Sequence, residues 1–241
     1  LWRGMNRAER VLTFGLGDGA DFRAEGVRSR VVDGEFVQEF RLVTPRGAAE
    51  ARLALAGRHN LVNALAASAA ASAAGADLGT IVAGLARMRA VKGRLQLKRA
   101  AGGAWLVDDS YNANPSSLHA GIDVLRELPG ERWLVLGEMA ELGAHTLEAH
   151  VEAGRYARAA GLGRLYAIGA PTRDSVAAFG PGAEWFESAE ALAARLRGEL
   201  RADVTVLVKG SRLNRLERVV EALAAPGTST ASVADGGHQA A

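Results

Sequence analysis

The chain has 241 residues, 49% of them apolar, and a formal net charge of +2, which suits one large or two ordinary globular domains with a buried core. It contains no cysteine, so disulfides, thiolate catalysis and cysteine zinc sites are excluded, which fits a reducing compartment. All but three of its 29 basic residues are arginines spread along the whole length, and this scatter argues against a nucleic-acid partner.

The opening residues Leu1 to Arg7 carry no apolar signal segment and do not begin with Met, so the chain is expected to start within a longer protein. From Arg10 to about Ala56 the pattern is strand-like, with runs at Val11–Phe14, Phe22–Ser29, Phe36–Thr44 and Ala51–Ala56 separated by Gly, Asp and Pro signals. Gly15, Gly17 and Ala20 fit G-x-G-x-x-A, but extended structure follows, so they predict a hairpin turn and not a dinucleotide loop. Two helices come next, Asn60–Ala74 and Leu78–Met88, split by Gly75 and capped anew by Asp77. Residues Leu61 to Ala76 are uncharged but short and alanine-rich, which predicts tight packing and no membrane insertion.

After Val91–Lys92–Gly93 the pattern changes to strands near Leu95–Lys98, Trp105–Asp108, Trp133–Leu136, Leu165–Ile168, Glu184–Phe186 and Val204–Val208, with helices between and after them. This alternation predicts an α/β fold: a C-terminal Rossmann-like domain with a mostly parallel sheet, preceded by a strand-rich and helical region, with the boundary near residue 90. Pro226 to Ala241 lacks periodicity and predicts a disordered tail.

The stretch Asp108 to Ser117 crowds acids, amides and an aromatic into the turn between a buried strand and a helix, where open parallel sheets bind ligands. Asn114 before Pro115 predicts a helix cap, whereas Tyr111 and Asn112 either hydrogen-bond a nucleotide or peptide or satisfy the backbone of the turn. Lys209 ends another strand, and in a chain that otherwise uses arginine it reads as a point charge for a carboxylate or phosphate. Asn60 and Asn63 share one helical face and match the donor and acceptor edge of a base, with Asn60 as a plain N-cap the alternative; Arg94 can reach a phosphate from the domain boundary. Glu138 and Glu141 read as acids at a helix start. His59, His119, His145, His150 and His238 show no zinc spacing, no G-x-S-x-G elbow occurs, and no lysine follows a glycine-rich loop in the P-loop pattern.

Five segments together resemble the Mur ligase family: Gly57–Ala67 (G-R-H-N-L-V-N-A-L-A-A), Gly93–Leu95, Asp108–Pro115 (D-D-S-Y-N-A-N-P), Leu136–Gly143 (L-G-E-M-A-E-L-G) with His150, and Val208–Arg212 (V-K-G-S-R). The first two are shared across the family. The last three point to the branch that adds D-Ala-D-Ala to UDP-N-acetylmuramoyl-tripeptide in peptidoglycan synthesis. The resemblance implies an ATP- and Mg2+-dependent amide ligase, cytoplasmic and monomeric, that works through an acyl phosphate. It places residues 1–90 at the end of a central ATP-binding domain, residues 91–225 in the C-terminal domain and residues 226–241 in a tail. It also implies Asn60 and Asn63 near adenine, Arg94 near the phosphates, Asp109 at the ribose with Tyr111 on the nucleotide side, and Asn112, Asn114, Lys209, Ser211 and Arg212 towards the incoming dipeptide.

The family's G-T-N-G-K-T phosphate loop, with most of the magnesium ligands, is expected to precede residue 1, so these residues by themselves are expected to be inactive and to hold no catalytic or metal residue of their own. Glu138 stands where the family usually has Asp. The competing readings are a non-catalytic doubly wound module binding a nucleotide or amino acid, and a folate polyglutamate or diaminopimelate-adding ligase of the same superfamily.

Overall fold

The computed structural model describes residue 8 and residues 11–225; the expected tail from Pro226 lies outside them. Two sheets organise the chain. The first is antiparallel, with β1 (Arg23–Val32), β2 (Glu35–Thr44) and β3 (Gly47–Leu53) in the order β1-β2-β3. Helices α1 (Arg58–Ala73) and α2 (Leu78–Arg87) close over it, and Phe40, Leu42, Leu53, Leu61, Leu65, Ile81 and Leu85 form the shared core.

The expected strand at Val11–Phe14 is instead a loop, tied by a parallel bridge between Phe14 and Phe22 and by Asp21, whose carboxylate accepts from the Thr13 backbone N–H at 2.8 Å. A parallel bridge is not a hairpin, so that expectation is corrected as well. The last strand of the sheet begins at Gly47 and not Ala51, because the turn after Thr44 lets Ala48 and Ala49 pair with β2 despite their weak strand preference. Helix α1 starts at Arg58 with Gly57 as its cap, so Asn60 is not the N-cap.

The second sheet has six strands: β4 (Gln96–Arg99), β5 (Trp105–Asp109), β6 (Glu131–Gly137), β7 (Arg164–Ile168), β8 (Ala183–Phe186) and β9 (Val204–Lys209). They lie in the order β4-β5-β9-β6-β7-β8, with only β4 antiparallel to its neighbour. Five helices cover it: α3 (Pro115–Arg126), α4 (Thr146–Ala159), α5 (Thr172–Phe179), α6 (Ala189–Glu199) and α7 (Glu217–Leu223). Every residue of β9 is buried, as a central strand covered on both faces must be. Leu118, Ile122, Leu125 and Leu207 fill one face of the sheet, and Leu192, Leu196, Val206, Val208 and Val219 fill the other.

Strand alternation then decides where the charges go. Val107 and Leu207 point to the α3 face, so Asp109 and Lys209, two residues on, point there too; Leu106 and Asp108 take the opposite face. Ala54, just after β3, forms a parallel bridge to Arg89 beyond α2, and Gly57 at the start of α1 abuts Val124 of α3. A cavity of about 290 Å³ remains between the first hairpin and the end of α3, lined by Phe36, Val37, Gln38, Val124 and Leu128 among others.

Candidate functional site at the carboxyl edge of the six-stranded sheet

The carboxyl ends of β5, β6, β7 and β9 share one edge, and the turn after β5 forms its corner. In-register pairing puts Asp109 beside Lys209, and the Lys209 ammonium donates to Asp109 Oδ2 at 2.5 Å and to the Asn112 carbonyl at 3.0 Å. Lys209 is 2% exposed and Asp109 is 9% exposed. Asp109 Oδ1 also accepts from the Leu95 N–H at 3.3 Å. Burial pushes the Asp109 carboxyl above the ordinary carboxylate range, opposed by the Lys209 ammonium and the Leu95 N–H.

On the opposite face Asp108 is equally committed. Its Oδ2 accepts from Lys98 at 2.6 Å and its Oδ1 from the Ser110 hydroxyl at 2.6 Å, so the backbone entering the turn is clamped from both sides of the sheet. Tyr111 N–H donates to the Gly93 carbonyl at 3.0 Å, and a Cβ at Gly93 would lie 3.1 Å from that nitrogen; the glycine permits the approach. Asn114 caps α3 by accepting from Ser117 N–H at 2.8 Å, and Asn112 Oδ1 accepts from Ala113 N–H at 2.9 Å.

The remaining expected residues surround this corner. Arg94 lies 4.4 Å over the Tyr111 ring, with Arg212 at 5.7 Å, and Tyr111 as a residue is 43% exposed. Asn60 Nδ2 donates back to the Ala56 carbonyl at 2.8 Å, whereas Asn63 is exposed on the same helix. Ser211 is buried, its N–H donating to the Glu138 carbonyl at 2.9 Å. Glu138 and Glu141 are not at a helix start: they lie in a loop before a short 3-10 turn at Gly143–His145, and Glu141 has φ 63°.

Sequence reasoning missed three groups here. His59 on α1 lies within electrostatic range of the Asp109–Lys209 pair. Desolvation lowers its pKa, Asp109 opposes that and Lys209 adds to it. Lys98 was detectable by the same rarity that singled out Lys209, since both are lysines at strand positions in an arginine-using chain. Asn214 fits between strand-end glycines, and no local pattern announces it: a Cβ at Gly137 would lie 2.6 Å from its Oδ1.

This geometry coincides with two family matches, Mur ligase middle domain over residues 2–71 and Mur ligase, glutamate ligase domain over residues 93–212. The chain belongs to the Mur ligase family. Within it, the chain is similar to UDP-N-acetylmuramoyl-tripeptide–D-alanyl-D-alanine ligase of Escherichia coli, 46% identical over 79% of this chain and 42% of that protein. The Haemophilus influenzae ligase of the same name is 37% identical over 76% of this chain and 41% of that protein. Among solved structures, MurF from Acinetobacter baumannii superposes with a TM-score of 0.76 at 30% identity, covering 85% of this chain and 45% of that one. MurF from Thermotoga maritima in complex with ADP superposes with a TM-score of 0.72 at 25% identity, covering 85% and 46%. The chain thus spans about two fifths of the length of the curated relatives it matches.

Proposed function

We propose that the chain is part of an ATP-dependent ligase that joins D-Ala-D-Ala to UDP-N-acetylmuramoyl-tripeptide in peptidoglycan precursor synthesis. The observation that carries this reading is the 46% identity to the Escherichia coli ligase. ATP, when bound, supplies the phosphoryl group that activates the precursor carboxylate.

The residues around the Tyr111 turn fit an adenine nucleotide. Asn63 is exposed one helical turn from Asn60, Tyr111 is exposed with Arg94 over its ring, Arg94 has no carboxylate partner among the described residues, and each Asp109 oxygen keeps a lone pair for a ribose hydroxyl. Asn60 and Asn63 read the base, Arg94 holds phosphate and Asp109 holds the ribose. Lys209 orients Asp109, and Asn112, Asn114, Ser211 and Arg212 face the dipeptide. The magnesium ligands are assigned to another part of the enzyme, with the G-T-N-G-K-T phosphate loop that the resemblance implies. Residues 1–90 and 91–225 act as separate domains that pivot near residues 89 to 93.

The protein works as a cytoplasmic monomer, where ATP and UDP-linked precursors occur; among the described residues no helix is long and apolar enough to cross a membrane. The test joins this chain to the amino-terminal half of the Escherichia coli ligase and follows phosphate release. Release that needs both UDP-N-acetylmuramoyl-tripeptide and D-Ala-D-Ala is expected, and its absence sinks the assignment. The 241 residues on their own, which contain no G-x-x-G-K-T loop, are expected to release none.

A further inference from the structure

Charges along the carboxyl edge are mostly spent on one another. Asp109 is taken by Lys209 and Asp108 by Lys98, while Arg173 stacks 3.5 Å over the Trp185 ring. Lys209 is therefore not a free ammonium for a ligand's carboxylate. Glu138 has no ion-pair partner among the described residues, and Arg212 has only the Tyr111 ring at 5.7 Å; the two are joined through one backbone contact, since the N–H of Ser211 donates to the Glu138 carbonyl at 2.9 Å.

The backbone around Glu138 is also held in place. The next N–H, that of Met139, donates to Nε2 of the fully buried His150 at 3.1 Å, and His150 Nδ1 carries the proton it donates to the Thr146 carbonyl at 2.7 Å. Its side chain lies across Gly169, where a Cβ would stand 2.9 Å from Glu138 Cβ and 3.1 Å from Oε2, at φ 99°. Gly169 thus makes room for this carboxylate, and Asn214 Nδ2 lies 3.2 Å from the same Cβ position. Glu138 is half-buried and Arg212 is exposed, so both keep contact with solvent.

We infer that Glu138 and Arg212 are the specificity-determining pair for a small zwitterion: Glu138 holds its ammonium and Arg212 its carboxylate. The inference rests on the ligase reading and names the residues that select the amine substrate. A dipeptide spans about 7 Å between its ends at most, short enough to lie between two side chains rooted in adjoining backbone. The planar guanidinium suits a carboxylate, and a carboxylate suits an ammonium.

The test uses the joined enzyme described above, with D-Ala-D-Ala as substrate and N-acetyl-D-Ala-D-Ala as a competitor that lacks the ammonium. Glu138→Gln is expected to raise KM for D-Ala-D-Ala about 10- to 100-fold, the worth of one hydrogen bond to a charged group. KM for ATP should be unchanged, as should inhibition by the acetylated dipeptide, and Glu138→Asp should restore most of the loss. Arg212→Gln should weaken both dipeptides. If Glu138→Gln leaves KM for D-Ala-D-Ala alone, or raises KM for ATP equally, the assignment is overturned while the ligase reading stands. No phosphate release from the unmodified joined enzyme overturns both.

Discussion

The three-stranded sheet and the carboxyl edge of the six-stranded sheet handle charge in opposite ways. In the first, Arg23–Glu25, Arg30–Glu39 and Arg41–Glu25 pair on the solvent side, and the interior behind them is apolar, built from Phe40, Leu42 and Leu53. At the second, Asp108, Asp109, Ser110, Lys209 and Ser211 are all buried. Taking charges out of water costs several kcal/mol per ion, so a chain that only had to fold would fill such positions with apolar residues. Their presence at the carboxyl edge, where open parallel sheets bind ligands, is what a binding site requires and a plain core does not.

Breaking the buried pair gives the largest expected effect. Lys209→Met strands the Asp109 carboxylate and Asp109→Asn strands the ammonium, each at about 3–5 kcal/mol. The double substitution should fall well short of the sum, because no uncompensated charge remains. Denaturant midpoints of the four proteins decide it. Additive losses would mean that the two groups do not depend on each other.

The contrasting substitution is Arg30→Gln in the first sheet. Arg30 and Glu39 are 57% and 38% exposed as side chains, so the loss should be about 0–1 kcal/mol and shrink further in high salt. A loss as large as that at Lys209 would erase the difference between the two regions.

How far this contrast could be seen beforehand depends on whether it is local. The alternation through Val107–Asp109 and Leu207–Lys209 places each acid and lysine on a face from sequence alone, and the Asn114–Pro115 cap is equally local. The partnership of Asp109 with Lys209 needs β5 and β9 to lie side by side across 100 residues, which no periodicity reveals. Lys98 was overlooked because its reach to Asp108 depends on β4 running antiparallel, with Lys98 opposite Leu106. Asn60 was open to reading as a cap because Gly57 starts α1 at φ 88° with no side-chain bond, a start that leaves no polar signature. The strand expected at Val11–Phe14 failed for the opposite reason: its residues suit a strand, but Thr13 and Phe14 are tied back onto Asp21 and Phe22.

The smallest effect concerns His59, which belongs to the first region and senses the second. Its pKa lies below the ordinary imidazole value of about 6.5, through desolvation first, with Asp109 raising it and Lys209 lowering it. The fold therefore favours the neutral ring. Above about pH 6.5 the ring is neutral in both states and costs nothing; as pH falls below that, the unfolded chain takes up a proton that the folded chain resists. Stability should decline over that window relative to His59→Gln, modestly because the ring keeps solvent contact. The signs of the two charges make a sharper measurement. In an NMR titration of the folded protein, Lys209→Met should move the His59 pKa up and Asp109→Asn should move it down. Shifts of the same sign, or none, would show that the ring is isolated from the pair, and that the first sheet does not sense the charge at the opposing edge.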